Sequence, residues 1–179
     1  MSTETYRGIH GTCQSRAQKI QDKGFLTSDG RVGPGIYFWM EGAYDRILAI
    51  GWYKQSLAEN RYKDDKSVDC VLIYVTLTAE DNEVLDLENR TISEKLGKLS
   101  LEKKVKPNER NKQKYLLGFF ISELEKEMKI KFKIVLVKVA APKEQYCEYP
   151  MRFMGAPLCC VARNNDCITM NRIEMVKGI

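Results

Sequence analysis

Apolar residues along the chain fall into two patterns, continuous β-rich runs and helical runs with one apolar side. The β-rich runs predict strands at residues 6–9, 36–39, 68–78, 83–87, 131–140, 158–162 and 167–176. The run at 68–78, VDCVLIYVTLT, has the β-branched content of a central strand that is buried on both faces. Strands therefore predominate, and the order of elements predicts an α+β fold of about seven strands with three or four helices.

Two helices are predicted in the first third of the chain. A polar helix at residues 13–23 follows Thr12, whose hydroxyl suits an N-cap, and ends at Gly24, which suits the left-handed position after a helix. A second helix is predicted at residues 41–60, where apolar residues recur at 43, 47, 50 and 57. We expect that repeating side to pack against the sheet.

Two more helices are predicted as a helical insert between the fourth and fifth β-rich runs, at residues 83–87 and 131–140. Residues 91–103 are weakly amphipathic, and residues 109–129 are strongly so, with Pro107 marking the break between them. The apolar face of the second helix consists of Leu117, Phe120, Ile121, Leu124 and Met128. Glu125 and Lys129 stand four residues apart, which predicts an ion pair on the helix surface.

Length and composition indicate one compact domain over residues 1–179, since 44% of the residues are apolar and no low-complexity tract divides the chain. The sequence contains no apolar run long enough for a membrane helix and no N-terminal pattern of a secretory signal. Its six cysteines form no C-x-x-C pair, so we expect reduced, mostly buried thiols in a cytoplasmic protein and no structural zinc site.

The net charge of +5 favours an anionic partner such as a dinucleotide, a nucleic acid or an acidic protein surface. The densest basic cluster is KKVKPNERNKQK at residues 103–114. It is interpreted as a solvated helical face and linker, or alternatively as a surface that follows phosphates.

Candidate chemistry is concentrated in residues 6–39, YRGIHGTCQSRAQKIQDKGFLTSDGRVGPGIYFW, which contain the only histidine, His10. The loop at residues 28–35 is rich in glycine, so its backbone can adopt positive φ angles and approach a ligand closely. It precedes a strand instead of opening a helix, and it has no Walker lysine, which excludes the two common nucleotide-binding loops. A ligand beside this loop is therefore expected.

His-Gly-Thr, a short helix ending in Gly-Phe, and a glycine loop leading into Gly-Ile-Tyr-Phe resemble the nicotinamide half of one enzyme family. This family is the poly(ADP-ribose) polymerase-like, diphtheria-toxin-related ADP-ribosyltransferases. The resemblance implies a split antiparallel β-sheet with flanking helices. It also implies that His10 hydrogen-bonds the adenosine ribose, that the Gly11 backbone binds the nicotinamide carboxamide, and that Tyr37 stacks on the nicotinamide ring. The remaining residues that it places near the dinucleotide are Thr12, Gly35 and Tyr44.

Besides the positions of His10 and Tyr37, the family has a third functional position, and there this sequence differs from the family's pattern. Members that build chains of ADP-ribose have a glutamate at the start of the strand at residues 158–162, where this sequence has Leu158. Leucine cannot bind a ribose hydroxyl or accept a proton, so transfer of a single unit is expected. Glu148, in the preceding loop, is the candidate substitute for the missing acid, and a solvated loop glutamate is the alternative.

The resemblance thus implies a mono-ADP-ribosyltransferase that uses NAD as co-substrate and needs no metal. The acceptor is expected to be a macromolecule, with nucleic acid favoured over protein and RNA over DNA, because of the basic cluster. A toxin or anti-phage effector, controlled by an antitoxin or another inhibitor protein, would have this form. Two alternatives remain: a module that binds NAD or ADP-ribose without turnover, and a nucleic-acid-binding module with a vestigial pocket.

Overall fold

The computed structural model describes residues 2–30, 32–106 and 108–179, and in these residues it has eight β-strands and four α-helices. The strands are β1 (Thr3–Cys13), β2 (Ser28–Gly30), β3 (Gly33–Met40), β4 (Cys70–Glu80), β5 (Val84–Asp86), β6 (Ile134–Lys138), β7 (Leu158–Ala162) and β8 (Ile168–Met175). The helices are α1 (Gln14–Lys23), α2 (Asp45–Ala58), α3 (Arg90–Glu102) and α4 (Arg110–Met128). The predicted α+β class is confirmed.

The strands form one sheet in the order β5-β6-β7-β3-β1-β4-β8, with β2 added to β3 as a hairpin. Neighbouring strands run antiparallel except β5 and β6, which are parallel. The parallel pair departs from the antiparallel sheet that the sequence predicts. It arises because α3 and α4 form the long crossover that a parallel connection requires.

The sheet is strongly curled. Strands β4 and β5 are five positions apart in the sheet, which would separate them by about 24 Å if the sheet were flat. Only the short 3₁₀ turn Asp81–Glu83 joins them, and a link of this length spans at most about 14 Å. The sheet must therefore bend until its two sides approach each other, which creates an inner and an outer face.

The inner face encloses a core in which side chains of β4 and β6 belong to the same apolar cluster, together with Phe38 of β3 and Ala17 of α1. The outer face is covered by two helices. Helix α2 packs over Ile9 and Leu72, whereas α4 packs over β6 and β7. The outer face therefore has two separate apolar clusters, one under each helix.

Helix α1 begins later than the sequence predicts. Its N-cap is Cys13, which makes no side-chain capping bond, and Thr12 is a strand residue, so the predicted Thr12 cap is wrong. The reason is that β1 pairs with β4 without interruption as far as Cys13 and Cys70, and this ladder takes precedence over capping. The helix ends at Gly24 as predicted, with the Gly24 N–H donating to the Ile20 carbonyl at 2.8 Å. Gly24 has a positive φ of +78°, but its ψ of 176° differs from the predicted left-handed conformation.

The predicted packing side of α2 is also wrong. The helix buries Leu48, Ala49 and Tyr53, whereas Ile47 and Leu57 on the predicted side are each 40% exposed. A helix that lies directly on a strand needs small residues at the contact, so Ala49 decides the orientation more than the larger aliphatic residues do.

Helix α4 has the apolar face that the sequence predicts, apart from Met128, which is half exposed. Glu125 pairs with Lys131 at 2.8 Å instead of with the predicted Lys129, and it also accepts a hydrogen bond from the Phe132 N–H at 3.1 Å. Lys129 cannot take part as expected because the helix has already ended there, with a φ of +54°. Pro107, the predicted break before this helix, lies outside the described residues.

All six cysteines are buried and free, as their spacing predicts. Within residues 2–30, 32–106 and 108–179, no helix has both the length and the apolar character that crossing a membrane would require.

Candidate functional site

The candidate site lies where strands β1 and β3 separate. Their pairing consists of Gly8 with Met40 and Ile9 with Trp39. Beyond Ile9, β1 continues along β4 to Cys13, and β3 continues along β7 through Ile36. The sheet therefore splits between the two strands at the point where the predicted His10 comes close to the backbone of the predicted Tyr37.

His10 bridges this split. Its Nδ1 lies 3.1 Å from the carbonyl oxygen of Tyr37. Because a carbonyl only accepts hydrogen bonds, Nδ1 carries the proton and donates, which leaves Nε2 with a lone pair. Burial lowers the pKa of His10 below its ordinary value, against the opposing effect of the bond to Tyr37. His10 is therefore neutral at pH 7 and presents a hydrogen-bond acceptor.

Two phenylalanine rings fix the orientation of the imidazole. Phe25 and Phe38 meet the His10 ring edge to face, with centroids 5.6 and 5.9 Å away. The Asn165 side chain secures Phe25 by accepting from its N–H at 2.8 Å and donating to its carbonyl at 2.9 Å. Phe25 is part of the Gly-Phe pair that ends α1, whereas no sequence pattern identified Asn165.

Tyr37 is held by its own hairpin. Its hydroxyl donates to the Gly33 carbonyl at 2.9 Å and accepts from the Val32 N–H at 3.1 Å. A Cβ atom at Gly30 would overlap the Tyr37 ring, so this glycine allows the ring to lie close to the backbone of β2. Burial raises the pKa of Tyr37 to about 12, which keeps the phenol protonated.

The two side chains project toward different layers of the fold. His10 contacts Phe38 of the inner core, whereas Tyr37 packs between the α2 and α4 clusters of the outer face. Neighbouring residues of a strand alternate between faces, which places Phe38 and Tyr37 on opposite sides of β3. The structure brings His10 to the Tyr37 backbone and not to the Tyr37 ring.

The glycines of the site have packing roles of their own. A Cβ atom at Gly11 would overlap the carbonyl oxygen of Ala49, so the bare backbone of Gly11 allows α2 to lie directly on β1. A Cβ atom at Gly35 would come within 2.5 Å of the Val161 side chain. Of the loop glycines, Gly33 has the predicted positive φ, at +90°.

Thr12, another residue that the resemblance places near the dinucleotide, is 3% exposed. Its hydroxyl lies beside the phenol of Tyr62, where it lowers the pKa of that phenol against the larger effect of burial, which raises it. Core packing therefore explains why Thr12 is buried.

The three remaining candidates lie outside the split. Tyr44 immediately precedes α2 and meets Tyr149 edge to face at 5.7 Å. Glu148 is exposed beside Tyr149, and no hydrogen bond or ion pair of the described residues joins it to His10 or Tyr37. Leu158 starts β7 as predicted and packs against the inner core.

Two surface cavities, of about 470 and 310 Å³, lie elsewhere. The larger is lined by Tyr53, Cys70 and the C-terminal residues, and the smaller by residues 108–112. Within the described parts of the chain, no three His, Cys, Asp or Glu side chains are grouped closely enough to hold a metal ion.

Comparisons with known proteins add little. No protein-family model matches the chain, and no curated protein matches it. A chain in the crystal structure of the M. tuberculosis MbcT–MbcA toxin–antitoxin complex is similar at 13% identity, over 98% of this chain and 85% of that one, with a TM-score of 0.42. A likeness at this level assigns neither a family nor a function.

Proposed function

We propose that the protein is a mono-ADP-ribosyltransferase that binds NAD at the split between β1 and β3. The observation that carries this proposal is that β1 and β3 diverge beyond their last pair, Ile9 with Trp39. This divergence leaves the backbone of Gly11 on a strand edge that faces β3, and the His10 side chain spans the gap. An unpaired strand edge offers backbone donors and acceptors to a ligand amide such as nicotinamide.

Each residue then has a role that its surroundings support. The Nε2 lone pair of His10 accepts a hydrogen bond from a ribose hydroxyl of NAD, because the bond of Nδ1 to the Tyr37 carbonyl fixes the tautomer. The Gly11 backbone binds the nicotinamide carboxamide. Tyr37 supplies a ring whose position is set by two hydrogen bonds within the hairpin. A ring held in this way loses little conformational entropy when nicotinamide packs against it.

The reaction breaks the bond between the nicotinamide nitrogen and C1 of the ribose. Nicotinamide leaves with the bonding electron pair and becomes neutral, so positive charge develops on the ribose, as in glycoside hydrolysis. A nucleophile of the acceptor forms the new bond to C1 and releases a proton. Glu148 is the proposed acceptor of that proton, since it is exposed in the loop that precedes β7.

The acceptor in this proposal is a macromolecule, with RNA favoured over protein, because the basic cluster at residues 103–114 suits a phosphate backbone. Leu158 at the start of β7 supports transfer of one unit, since an apolar side chain in the inner core cannot activate the ribose of a growing chain. A toxin or defence role under the control of an inhibitor protein remains an implication of the family resemblance.

Two substitutions of His10 test the proposal. His10→Gln places an amide oxygen near the position of Nε2, whereas His10→Asn keeps a donor near Nδ1 and has no group at Nε2. We expect His10→Asn to transfer label from NAD to acceptor more slowly than wild type, and His10→Gln to keep more of the wild-type rate. Loss of one charge-neutral hydrogen bond in a reacting complex corresponds to about 0.5–1.5 kcal/mol, or roughly two- to tenfold in rate.

Circular dichroism and urea unfolding of both variants provide the control for folding. Equal transfer by wild type and a folded His10→Asn variant would overturn the proposal. NAD binding with no transfer to any component of a cell lysate would instead support the alternative of a binding module without turnover.

A further inference from the structure

The positive charge of the protein is concentrated in one part of the α3–α4 unit. Residues 95–114 contain eight Lys or Arg residues and two Glu residues, a net charge of +6, which exceeds the +5 of the whole chain. The rest of the molecule is therefore almost neutral. A field this localised attracts an anionic partner to one surface.

Most of these cations are available to a partner. Lys112 pairs with Glu109 at 2.6 Å, and Lys114 pairs with Asp29. Among the ion pairs of the described residues, none gives a carboxylate partner to Lys98, Lys104 or Lys106. The segment therefore keeps its positive potential instead of neutralising it within the fold.

Two aromatic rings stand on the same surface. Tyr115 is 83% exposed and Phe119 is 50% exposed, on the side of α4 that faces away from its buried apolar residues. They are four residues apart, so their Cβ atoms lie about 5–6 Å from each other on one helix face. Lys103, just after α3, places its ammonium 5.9 Å from the Phe119 ring centroid. Lys103 therefore lies on the same surface as the aromatic rings, and Lys104 and Lys106 closely follow it in the chain.

We propose that this aromatic–basic face, formed by Lys103, Lys104, Lys106, Tyr115 and Phe119, binds single-stranded nucleic acid. Single-strand-binding surfaces combine cations that follow the backbone with aromatic rings on which bases stack. A duplex hides the faces of its bases and would use only the cations. An acidic protein would likewise make no use of two solvated rings aligned beside the lysines. The further statement that the bound strand is also the acceptor of ADP-ribose depends on the proposed function.

Fluorescence anisotropy without NAD tests the binding directly. The probe is a labelled oligouridine of about 12 nucleotides, and an RNA duplex of the same length is the comparison. We expect Tyr115→Ala and Phe119→Ala each to weaken oligouridine binding at least about fivefold, since a stacked base contributes roughly 1–3 kcal/mol. The matched control is Phe153→Ala, because Phe153 is 82% exposed in a different segment.

The charge is tested by the triple variant Lys103→Gln, Lys104→Gln and Lys106→Gln. Each phosphate contact to a single strand contributes about 0.7 to the slope of log K against log salt concentration, so the slope should flatten by about 2. The variant Lys63→Gln, Lys66→Gln changes lysines outside the face and should leave the slope nearly unchanged.

Three results would overturn the inference: no measurable binding of oligouridine, equal losses in the Phe153→Ala control, or duplex binding as tight as single-strand binding with no effect of the aromatic substitutions. Self-association that the Tyr115 and Phe119 variants abolish while oligouridine binding stays intact would identify the face as a protein interface instead. Because NAD is absent from the assay, a failure of the transferase proposal leaves this outcome unaffected.

Discussion

Lowering the pH from 7 to 5 should destabilise the protein through His10. In the unfolded chain this histidine has its ordinary pKa near 6.5, whereas burial lowers the pKa in the fold. Below pH 6.5 the unfolded state therefore binds more protons than the folded state. Stability is present above the unfolded pKa and is lost as the pH falls toward the folded pKa.

The size of the effect has an upper bound. If His10 stays neutral in the fold down to pH 5, the loss between pH 7 and pH 5 is about 2 kcal/mol, and a higher folded pKa makes it smaller. The slope cannot exceed about 1.4 kcal/mol per pH unit for one group. No second histidine exists in the chain to contribute in this range.

Urea unfolding of wild type and His10→Gln at several pH values between 5 and 7 measures this contribution. The difference in unfolding free energy between the two proteins should shift with pH in the stated direction, because only wild type has the titrating ring. Transfer activity should fall only as the pH approaches the lowered pKa of the folded His10, since a protonated Nε2 donates and no longer accepts. Parallel stability curves for the two proteins would refute the assignment of a half-buried, neutral His10.

Two further predictions concern Gly11 and Leu158. Gly11→Ala should destabilise the protein by roughly 1–3 kcal/mol in urea unfolding, because its methyl group overlaps the Ala49 carbonyl, whereas Gly97→Ala on exposed α3 should be neutral or stabilising. If Gly11→Ala were as stable as wild type, the close contact between β1 and α2 would be in error. Because Leu158 lacks a carboxylate, mass spectrometry of the modified acceptor should show one ADP-ribose per site. Ladders of increasing length would mean that another acid takes the third position.

Much of the fold was predictable because strands and helices of this chain have distinct periodicities. The start and end of β7 agree with the apolar run at residues 158–162, and α3 and α4 each begin and end within one residue of the predicted bounds. In contrast, the length of β1 was underestimated, since polar residues such as Thr3 and Thr12 join the strand only because β4 supplies a partner. Pairing between distant strands leaves no local signal of this kind.

The candidate residues of the site could be named from the sequence, whereas the geometry around them could not. His10 and Tyr37 could be identified from their motifs, and the structure places the His10 ring at the Tyr37 carbonyl. The sequence could not show that α2 packs so closely on Gly11 that a side chain there would clash. Nor could it show that Asn165, 140 residues further along the chain, hydrogen-bonds the Phe25 backbone. It also could not show that the Tyr37 hydroxyl binds its own hairpin. Each of these features depends on contacts that only the folded chain creates.

A crystal structure of the protein with bound NAD, or with an analogue that resists cleavage, tests the central claim most directly. The proposal predicts nicotinamide between the Gly11 backbone and the Tyr37 ring, with a ribose hydroxyl donating to Nε2 of His10. NAD bound at another surface, or no binding at saturating concentration by a folded protein, would contradict it.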